Sequence, residues 1–335
     1  MKYAKMTIAG IIVALVVSQS ALAGPYSPGK GGPAEAGFID AGIAGFVGPA
    51  GEGVRATTTN GNYVNPVFKG WAAGIATYDP SDELGLYGMN SIGRPPDYSM
   101  DFGDPQKATG EVTGDNMDIV SLGDMDATEI ASHLADPAAN PLGTLVLTFD
   151  HAICNGAGAD FATFENGFIS NYNTNGGSVQ GQMFAELGYV EVSTDGVNFA
   201  RFSSTYLNTA PSGSQAYLAQ DVSNIHNLAG KHANAYGISW GTPFDLNDLT
   251  DDPMVTSNVV NLDEINYVKI VDIPGDGTFQ DGHQHGIYDA WVTWGSGGMD
   301  FEALGVINQT PEPATICLLL TGAAVGLWRK ERNIF

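Results

Sequence analysis

The stretch LGYVEVSTDGVNFARF, residues 187–202, decides the fold class. Residues 187–193 and 197–202 are rich in the aromatic and β-branched side chains that strands favour. Asp195-Gly196 lies between the two runs, and an Asp-Gly pair in that position is typical of a tight hairpin turn. The sequence therefore predicts two antiparallel strands joined at this turn.

Similar short runs bounded by turn residues occur on both sides of the hairpin. They are residues 118–122, 144–149, 158–167, 267–273 and 299–307. Long helical periodicities are missing, and residues 126–134 are the best candidate for a short helix. Many short strands separated by long loops predict an all-β fold, a jelly-roll-like antiparallel β-sandwich.

The N-terminus has the three parts of a secretory signal. Lys2 and Lys5 supply positive charge, residues 7–17 form an apolar run, and Ala21 and Ala23 frame a small-x-small cleavage site. The run is short for a bilayer span, so we expect cleavage after Ala23. The alternative is a buried N-terminal helix.

The C-terminus is also tripartite. Pro311-Glu312-Pro313 precedes an apolar segment at residues 314–328, and a basic cluster follows at residues 329–332. The apolar segment is shorter than the roughly 20 residues that usually cross a bilayer. By itself it could be an ordinary tail anchor, with the basic cluster on the cytoplasmic side.

The order of these three parts resembles the PEP-CTERM sorting tag of Gram-negative-type bacteria. The resemblance covers the last 26 residues. It implies that an exosortase, a membrane transpeptidase-like enzyme, recognises residues 311–313 and removes the tail. It also implies export to the cell envelope, the cell surface or the extracellular matrix.

These two ends divide the chain into three parts. Residues 1–23 are the predicted signal peptide, residues 24–309 a single β-sandwich domain, and residues 310–335 the sorting signal with its apolar helix. Gly, Ala and Pro are frequent in residues 24–62, so we expect this first part of the domain to be loosely ordered. The membrane is then a partner only through the C-terminal segment, before processing.

The chain is strongly acidic, with a formal net charge of −24. Removing both ends takes away five basic residues and one acidic residue, which leaves −28 on residues 24–313. Such a surface repels nucleic acid and anionic lipid, and it attracts divalent cations. Cys154 is the one cysteine outside the C-terminal apolar segment, so the mature chain has no disulfide of its own.

Residues 158–167 are similar to the G-x-D-F-x-x-F-E-N signature of certain PEP-CTERM-tagged surface proteins. Residues 184–199, 224–231, 241–246 and 297–308 also resemble that family. The resemblance implies a surface or matrix location and a β-sandwich, and it carries no established activity. The hairpin itself resembles those of galactose-binding-like modules.

An acidic constellation is the first candidate site. Asp160, Glu165 and Asn166 lie on one predicted strand, and Asp300 and Glu302 lie on the last, where residues two apart share a face. Carboxylate and amide oxygens are ligands of calcium, so calcium is the candidate cofactor. The alternatives are carboxylates that cap loops, or a glycosidase pair about 5 to 10 Å apart.

Two further patterns are weaker. His283 and His285 in the loop of residues 272–289 could face one side for a transition metal, but a solvated surface loop is the simpler interpretation. Five aromatic residues near strand ends could stack on a sugar, although packing in the core or in loops is the usual role. They are Tyr236, Trp240, Tyr288, Trp291 and Trp294.

Together these patterns favour a non-catalytic exported surface or extracellular-matrix protein that is associated with exopolysaccharide. Signal peptidase and exosortase are its expected processing partners, and nucleic acid is excluded as a partner by charge. A carbohydrate-binding module is the first alternative, and a glycan-active hydrolase or lyase is the second.

Overall fold

The computed structural model describes residues 24–81, 87–88, 97–293 and 295–311. The described strands, in chain order, are β1 (Ile43–Ala44), β2 (Phe46–Val47), β3 (Tyr63–Val64), β4 (Gly70–Trp71), β5 (Gly74–Asp79), β6 (Tyr87–Gly88), β7 (Asp97–Asp101), β8 (Val120–Ser121), β9 (Thr144–Ile153), β10 (Phe161–Glu165), β11 (Phe168–Ile169), β12 (Met183–Phe184), β13 (Gly188–Ser193), β14 (Ala200–Arg201), β15 (Thr205–Tyr206), β16 (Ala219–Gln220), β17 (Ile225–His226), β18 (Trp240–Phe244), β19 (Ile265–Asp272) and β20 (Asp300–Val306).

Two antiparallel sheets carry the fold. The first sheet has the order β1-β18-β10-β20-β4, with β8 also paired to β20, and the second has the order β14-β13-β19-β9-β5. From β4 onward the long strands alternate between the sheets at nearly every step, as in a jelly roll. A small sheet, β11-β12-β16, and the pairs β15-β17, β2-β3 and β6-β7 complete the described strands.

One hydrophobic core fills the space between the two sheets. Phe161, Phe244 and Leu304 reach it from the first sheet, and Leu147 and Ile270 reach it from the second. Residues two apart on a strand share a face, so both sheets present an apolar face to this layer. The predicted all-β, jelly-roll-like antiparallel sandwich with long loops is confirmed.

The first sheet is covered on its other face as well. Phe164 of β10 and Ala303 of β20 point away from the central core and pack with Phe46, Phe68 and Val112 in a second cluster. These covering residues come from the chain before β9, which folds over the sheet. The centre of the molecule is therefore a sheet without an exposed face.

The predicted hairpin is present, with one strand shorter than expected. Asp195 Oδ1 accepts from the backbone N–H groups of Val197 at 2.9 Å and Asn198 at 2.8 Å, and Gly196 has a φ of +75°. These turn hydrogen bonds occupy the residues that the sequence assigns to the start of the second strand. As a result β14 is limited to Ala200–Arg201.

The predicted short helix is confirmed as α1, Ala127–Ala135. Asp126 caps its N-terminus and Glu129 completes a capping box, which satisfies backbone donors at the start of the helix. A second short helix, α2 (Pro253–Thr256), begins after the capping residue Asp252. Within the described ranges, 3₁₀ segments are found at Pro33–Glu35, Pro105–Ala108, Val222–Asn224 and Leu246–Leu249.

Among the described residues, no helix is long and apolar enough to cross a membrane. The predicted signal peptide and the apolar C-terminal segment lie outside the described residues.

The N-terminal segment is attached to the domain from its first described residue. The backbone N–H of Gly24 donates to Ser223 Oγ at 2.7 Å, and the ring of Tyr26 stacks on His226 with centroids 4.7 Å apart. Further along, the buried Lys231 ammonium donates to the buried Asp40 carboxylate. These contacts favour an ordered segment over the loosely ordered one that composition predicts.

Candidate functional site

Antiparallel pairing of β10 with β20 brings together the two strands that carry the predicted acidic residues. Phe164 lies opposite Ala303 and Glu165 lies opposite Phe301, so Glu302 is an extra residue on β20. An extra residue of this kind forms a β-bulge, which bends the strand and changes the direction of its side chains.

Asp160 fastens loops just before β10 and is fully buried. Its carboxylate accepts from Gly156 N at 2.7 Å, Leu246 N at 2.8 Å and Asn308 Nδ2 at 2.8 Å. Burial raises the pKa of this carboxyl, although the three donors act in the opposite direction. Both oxygens have protein donors, so Asp160 has the capping role.

Glu302 has a capping role as well. Its Oε1 accepts from the backbone N–H of Thr113, the hydroxyl of Thr113 and the backbone N–H of Gly114, each at 2.7 Å. Its Oε2 accepts from the Asn234 side chain. The expectation that Asp300 and Glu302 present their carboxylates together is wrong, because the bulge at Glu302 interrupts the alternation on which it depends.

Three of the five predicted residues do meet. Asn166 Nδ2 donates to Asp300 Oδ2 at 3.0 Å, and Asn166 N donates to the Asp300 carbonyl at 3.3 Å. Glu165 Oε2 accepts from Gly167 N at 2.8 Å. The second oxygens, Glu165 Oε1 and Asp300 Oδ1, are buried and have no hydrogen-bond partner.

Four further carboxylates that the sequence interpretation missed lie around these residues. Together with Glu165 and Asp300 they form what we call the acidic cluster, in which no member is more than 4% exposed. The missed members are Asp124, Glu186, Asp272 and Asp289. A usable signal was present, because Glu186 and Asp272 are single carboxylates within apolar runs.

Removal from water dominates the electrostatics of the acidic cluster, because burial penalises the charged form. It raises the pKa of Asp124 and Asp300 to about 7. It raises the pKa of Glu165 and Glu186 well above the ordinary value, and repulsion from Asp300 adds to both shifts. Burial also raises the pKa of Asp272 and Asp289 well above the ordinary value.

The histidine pair belongs to a loop that Asp281 fastens. Asp281 Oδ1 accepts from the backbone N–H groups of His283 and His285, both at 2.8 Å, and Asp281 Oδ2 lies 3.2 Å from His285 Nδ1. The two imidazole centroids are 6.2 Å apart. As the side chains stand, no three His, Cys, Asp or Glu residues in the described ranges are grouped to hold a metal ion.

The predicted aromatic residues have different surroundings. Trp240 is buried against the backbone of Gly31 and Gly53, and Trp291 Nε1 donates to the Met125 carbonyl at 2.8 Å. Tyr288 is partly buried and packs against a further hydrophobic cluster, which includes Tyr206, Val271 and Ile287. Tyr236 is 73% exposed. Trp294 lies outside the described residues.

Tyr236 begins a line of four rings along the small sheet, which we call the aromatic row. Its ring meets Phe168 edge-on at 5.3 Å, Phe168 stacks on Phe184 at 4.8 Å, and Phe184 lies 6.3 Å from Tyr217. Tyr217, at the other end, is 51% exposed. Two exposed tyrosines are therefore supported by two rings that pack between them.

The described residues end at the start of the predicted sorting motif. Thr310 N donates to the Ala152 carbonyl at 2.9 Å, and Pro311, the last described residue, is exposed. Ala21, Ala23, Glu312 and Pro313 lie outside the described residues. No protein-family model matches this chain, and no curated protein matches it.

Proposed function

We propose that this chain is a non-catalytic exported protein of the cell surface or extracellular matrix, sorted by an exosortase and associated with exopolysaccharide. The observation that carries the proposal is the order of the motif at residues 311–313, the apolar segment and the basic cluster. Thr310, which makes the last backbone hydrogen bond of the described fold, is directly followed by the exposed Pro311. A processing enzyme would therefore meet the motif at the edge of the folded domain.

The burial of the carboxylates supports a non-catalytic role. Asp160, Glu165, Asp300 and Glu302 are each at most 2% exposed, so a glycan cannot approach them in this conformation. A glycosidase pair must flank a sugar that lies between the two carboxyl groups. These residues instead hold loops or one another.

Processing is tested by intact-mass analysis of the protein from cells that carry the exosortase. We expect a mature form that lacks residues 1–23 and the C-terminal apolar segment. Glu312→Gln combined with Pro311→Ala should leave the tail in place, whereas the exposed-surface change Glu264→Gln should leave processing unchanged. Retention of residues 314–335 in the released wild-type protein would overturn the sorting proposal.

A second candidate function, carbohydrate binding, is favoured by the aromatic row. Tyrosine offers a flat apolar face with a polar hydroxyl group, which suits the apolar face of a sugar ring. Exposed apolar groups in a row are a feature of interaction sites. The net charge of the chain favours a neutral polysaccharide over an anionic one.

This candidate is tested by affinity measurements on the exopolysaccharide of the producing cells. Tyr236→Ala with Tyr217→Ala should weaken binding by about tenfold or more, which corresponds to about 1.4 kcal/mol. Tyr63→Ala removes a tyrosine of similar exposure, 57%, on β3 and is the matched control. Equal binding by all three proteins would exclude the aromatic row as the binding surface.

A further inference from the structure

The acidic cluster has a geometry that capping does not explain. Four of its six members keep one oxygen in a hydrogen bond or beside a donor and have a second oxygen that is buried without any partner. The unpartnered atoms are Asp124 Oδ1, Glu165 Oε1, Asp272 Oδ2 and Asp300 Oδ1. A buried polar atom without a partner costs about 1 to 3 kcal/mol, so four in one region need a physical reason.

Three of the four carboxylates lie at the loop that leads into β20, because Asp124 accepts from Thr293 N of this loop and Asp300 directly follows it. Asp272 Oδ1 accepts from Met299 N at 2.7 Å, one residue before Asp300. A Cβ on Gly298 would lie 2.7 Å from Asp272 Oδ1 and 2.2 Å from the carbonyl oxygen of Gly123, the neighbour of Asp124. Asp272 therefore contacts the backbone directly before Asp300, and the negative charges of Asp124 and Asp300 add to the burial that raises its pKa.

Glu165 and Glu186 lie near Asp300, whose negative charge adds to the burial that raises the pKa of both. Asn166, next to Glu165, donates to Asp300 Oδ2. A Cβ on Gly230 would lie 3.5 Å from Glu165 Oε2 and 2.1 Å from the Glu186 carbonyl oxygen, which places the Glu165 side chain beside the Glu186 backbone. Asp289 Oδ2 accepts from Leu187 N at 2.7 Å, so it reaches the same backbone from the loop side.

Positive charge near these residues is limited. Burial raises the pKa of Asp300 despite the opposing effects of the Ser296 and Asn166 side chains and of the Lys107 charge, and Glu129 adds negative charge near Asp124. Thr293 donates its N–H to Asp124 Oδ2 at 2.8 Å, which supplies a dipole but no charge. Six neighbouring carboxyl groups at neutral pH must therefore be neutralised by bound protons or by a cation.

A surface cavity leads to one member of the cluster. It has a volume of about 250 Å³, and Asp289 lines it together with Gln215, Asp276, Tyr288 and Trp291. Asp289 thus lies both in the cavity wall and beside Glu186. The cavity therefore reaches the edge of the acidic cluster at Asp289, which is not one of the four carboxylates with an unpartnered oxygen.

We propose that the acidic cluster binds Ca²⁺, with the unpartnered oxygens of Asp124, Glu165, Asp272 and Asp300 as its ligands. The ion takes six to eight oxygen ligands in flexible geometry, which suits carboxylates from several loops better than the strict octahedron of Mg²⁺. The free oxygens must turn toward a common point, since no three described side chains are grouped for a metal as they stand.

This site differs from the one that the sequence predicts, because Asp160 and Glu302 are not part of it. It is also independent of the proposed sorting by an exosortase and of the aromatic row. Failure of either of those functions would leave the calcium site untouched.

The test uses the mature protein purified from its producing cells, with calcium binding measured by calorimetry and thermal unfolding at pH 8. At a hundredfold excess over Kd we expect Ca²⁺ to raise Tm by about 5 °C, with Mg²⁺ and Na⁺ at matched ionic strength giving less. Binding should release protons, and the increment should shrink at pH 5.5, where protons occupy the same carboxylates.

Two variants separate ligation from folding. Asp300→Asn with Glu165→Gln should abolish the calcium increment, yet remain at least as stable as wild type in chelator at pH 8, because two mutually repelling groups are gone. Asp160→Asn changes a buried carboxylate whose two oxygens are both bonded, so it should lower Tm and keep the increment. Equal effects of Ca²⁺ and Mg²⁺, or a full increment in the double variant, would overturn the proposal.

Discussion

The side-chain amide of Asn166 donates to Asp300 Oδ2 at 3.0 Å and joins the residue after β10 to the first residue of β20. The same asparagine donates its backbone N–H to the Asp300 carbonyl. A neutral donor at this position supports one carboxylate of the acidic cluster without adding to its charge.

Asn166→Asp should therefore destabilise the protein, since it replaces a donor by a carboxylate beside Asp300. Loss of a hydrogen bond to a charged group costs about 1.5 to 3 kcal/mol. Urea unfolding at pH 8 in chelator measures the change, and lowering the pH to 5.5 should recover part of it. Asn258→Asp makes the same change at an exposed position and should have little effect. Equal destabilisation by both variants would contradict this role for Asn166.

Stability should fall as pH rises from about 4 to above 7. Burial raises the pKa of Asp124 and Asp300 to about 7 in the folded state, so the folded protein binds more protons than the unfolded chain within this window. The free energy of unfolding then decreases with pH, on the order of a few kcal/mol. Thermal unfolding in chelator at several pH values measures the slope. Asp300→Asn should reduce the dependence of stability on pH. An unchanged dependence in that variant would show that Asp300 does not contribute to it.

Lys231→Met should loosen the N-terminal segment. The ammonium is fully buried, donates to Asp40 and to the Ile225 carbonyl, and its loss leaves the buried Asp40 carboxylate without its cation. Breaking such a pair costs about 3 to 5 kcal/mol.

Protease digestion measures the loosening of the N-terminal segment, and we expect faster cleavage in residues 24–45. Urea unfolding measures the loss of stability. Lys269→Met breaks a partly exposed pair with Glu191 and should cost about 1 kcal/mol or less. Adding Asp40→Asn to Lys231→Met should restore part of the stability. If both lysine variants lost the same free energy of unfolding, burial of the Lys231–Asp40 pair would not explain its contribution to stability.

Gly31→Ala should be poorly tolerated. A Cβ at this position would lie 1.9 Å from the Trp240 ring, and the backbone has a φ of +66°. Overpacking costs about 1 to 3 kcal/mol and the left-handed backbone adds about 1 to 2 kcal/mol. Gly37→Ala is the matched control, since nothing lies within 4 Å of its Cβ position. We expect a lower Tm in Gly31→Ala and an unchanged Tm in Gly37→Ala. The tryptophan fluorescence spectrum should change only in Gly31→Ala, because the added methyl group displaces the Trp240 ring.

Local chemistry made much of the fold predictable. The turn at Asp195-Gly196 and the capping residue Asp126 act within a few residues, so the sequence near them contains the information. Strand β18 was missed as a strand because Trp240–Phe244 contains a glycine and a proline, and its pairing partners are distant in sequence. The sequence could not predict its place between β1 and β10, which tertiary packing determines.

The candidate site was predictable only in part for a similar reason. Pairing of β10 with β20 made Glu165 and Asp300 neighbours, but the bulge at Glu302 depends on register, which a strand pattern does not specify. Asp124 and Asp289 join the cluster from loops, and Asp272 joins it from the last position of β19. Nothing in their local sequence indicates that these segments meet.

The first sheet has a hydrophobic core on each of its faces. This arrangement limits the surfaces at which a binding site for a partner could form. A partner cannot lie on β10 or β20, since every residue of both strands is buried. Contact must be made elsewhere, for example through the loops, the small sheet or the partly exposed edge strand β5. Loops can lengthen or change sequence without disturbing the packed layers. Sequence changes at the periphery therefore leave the packed layers of the fold in place.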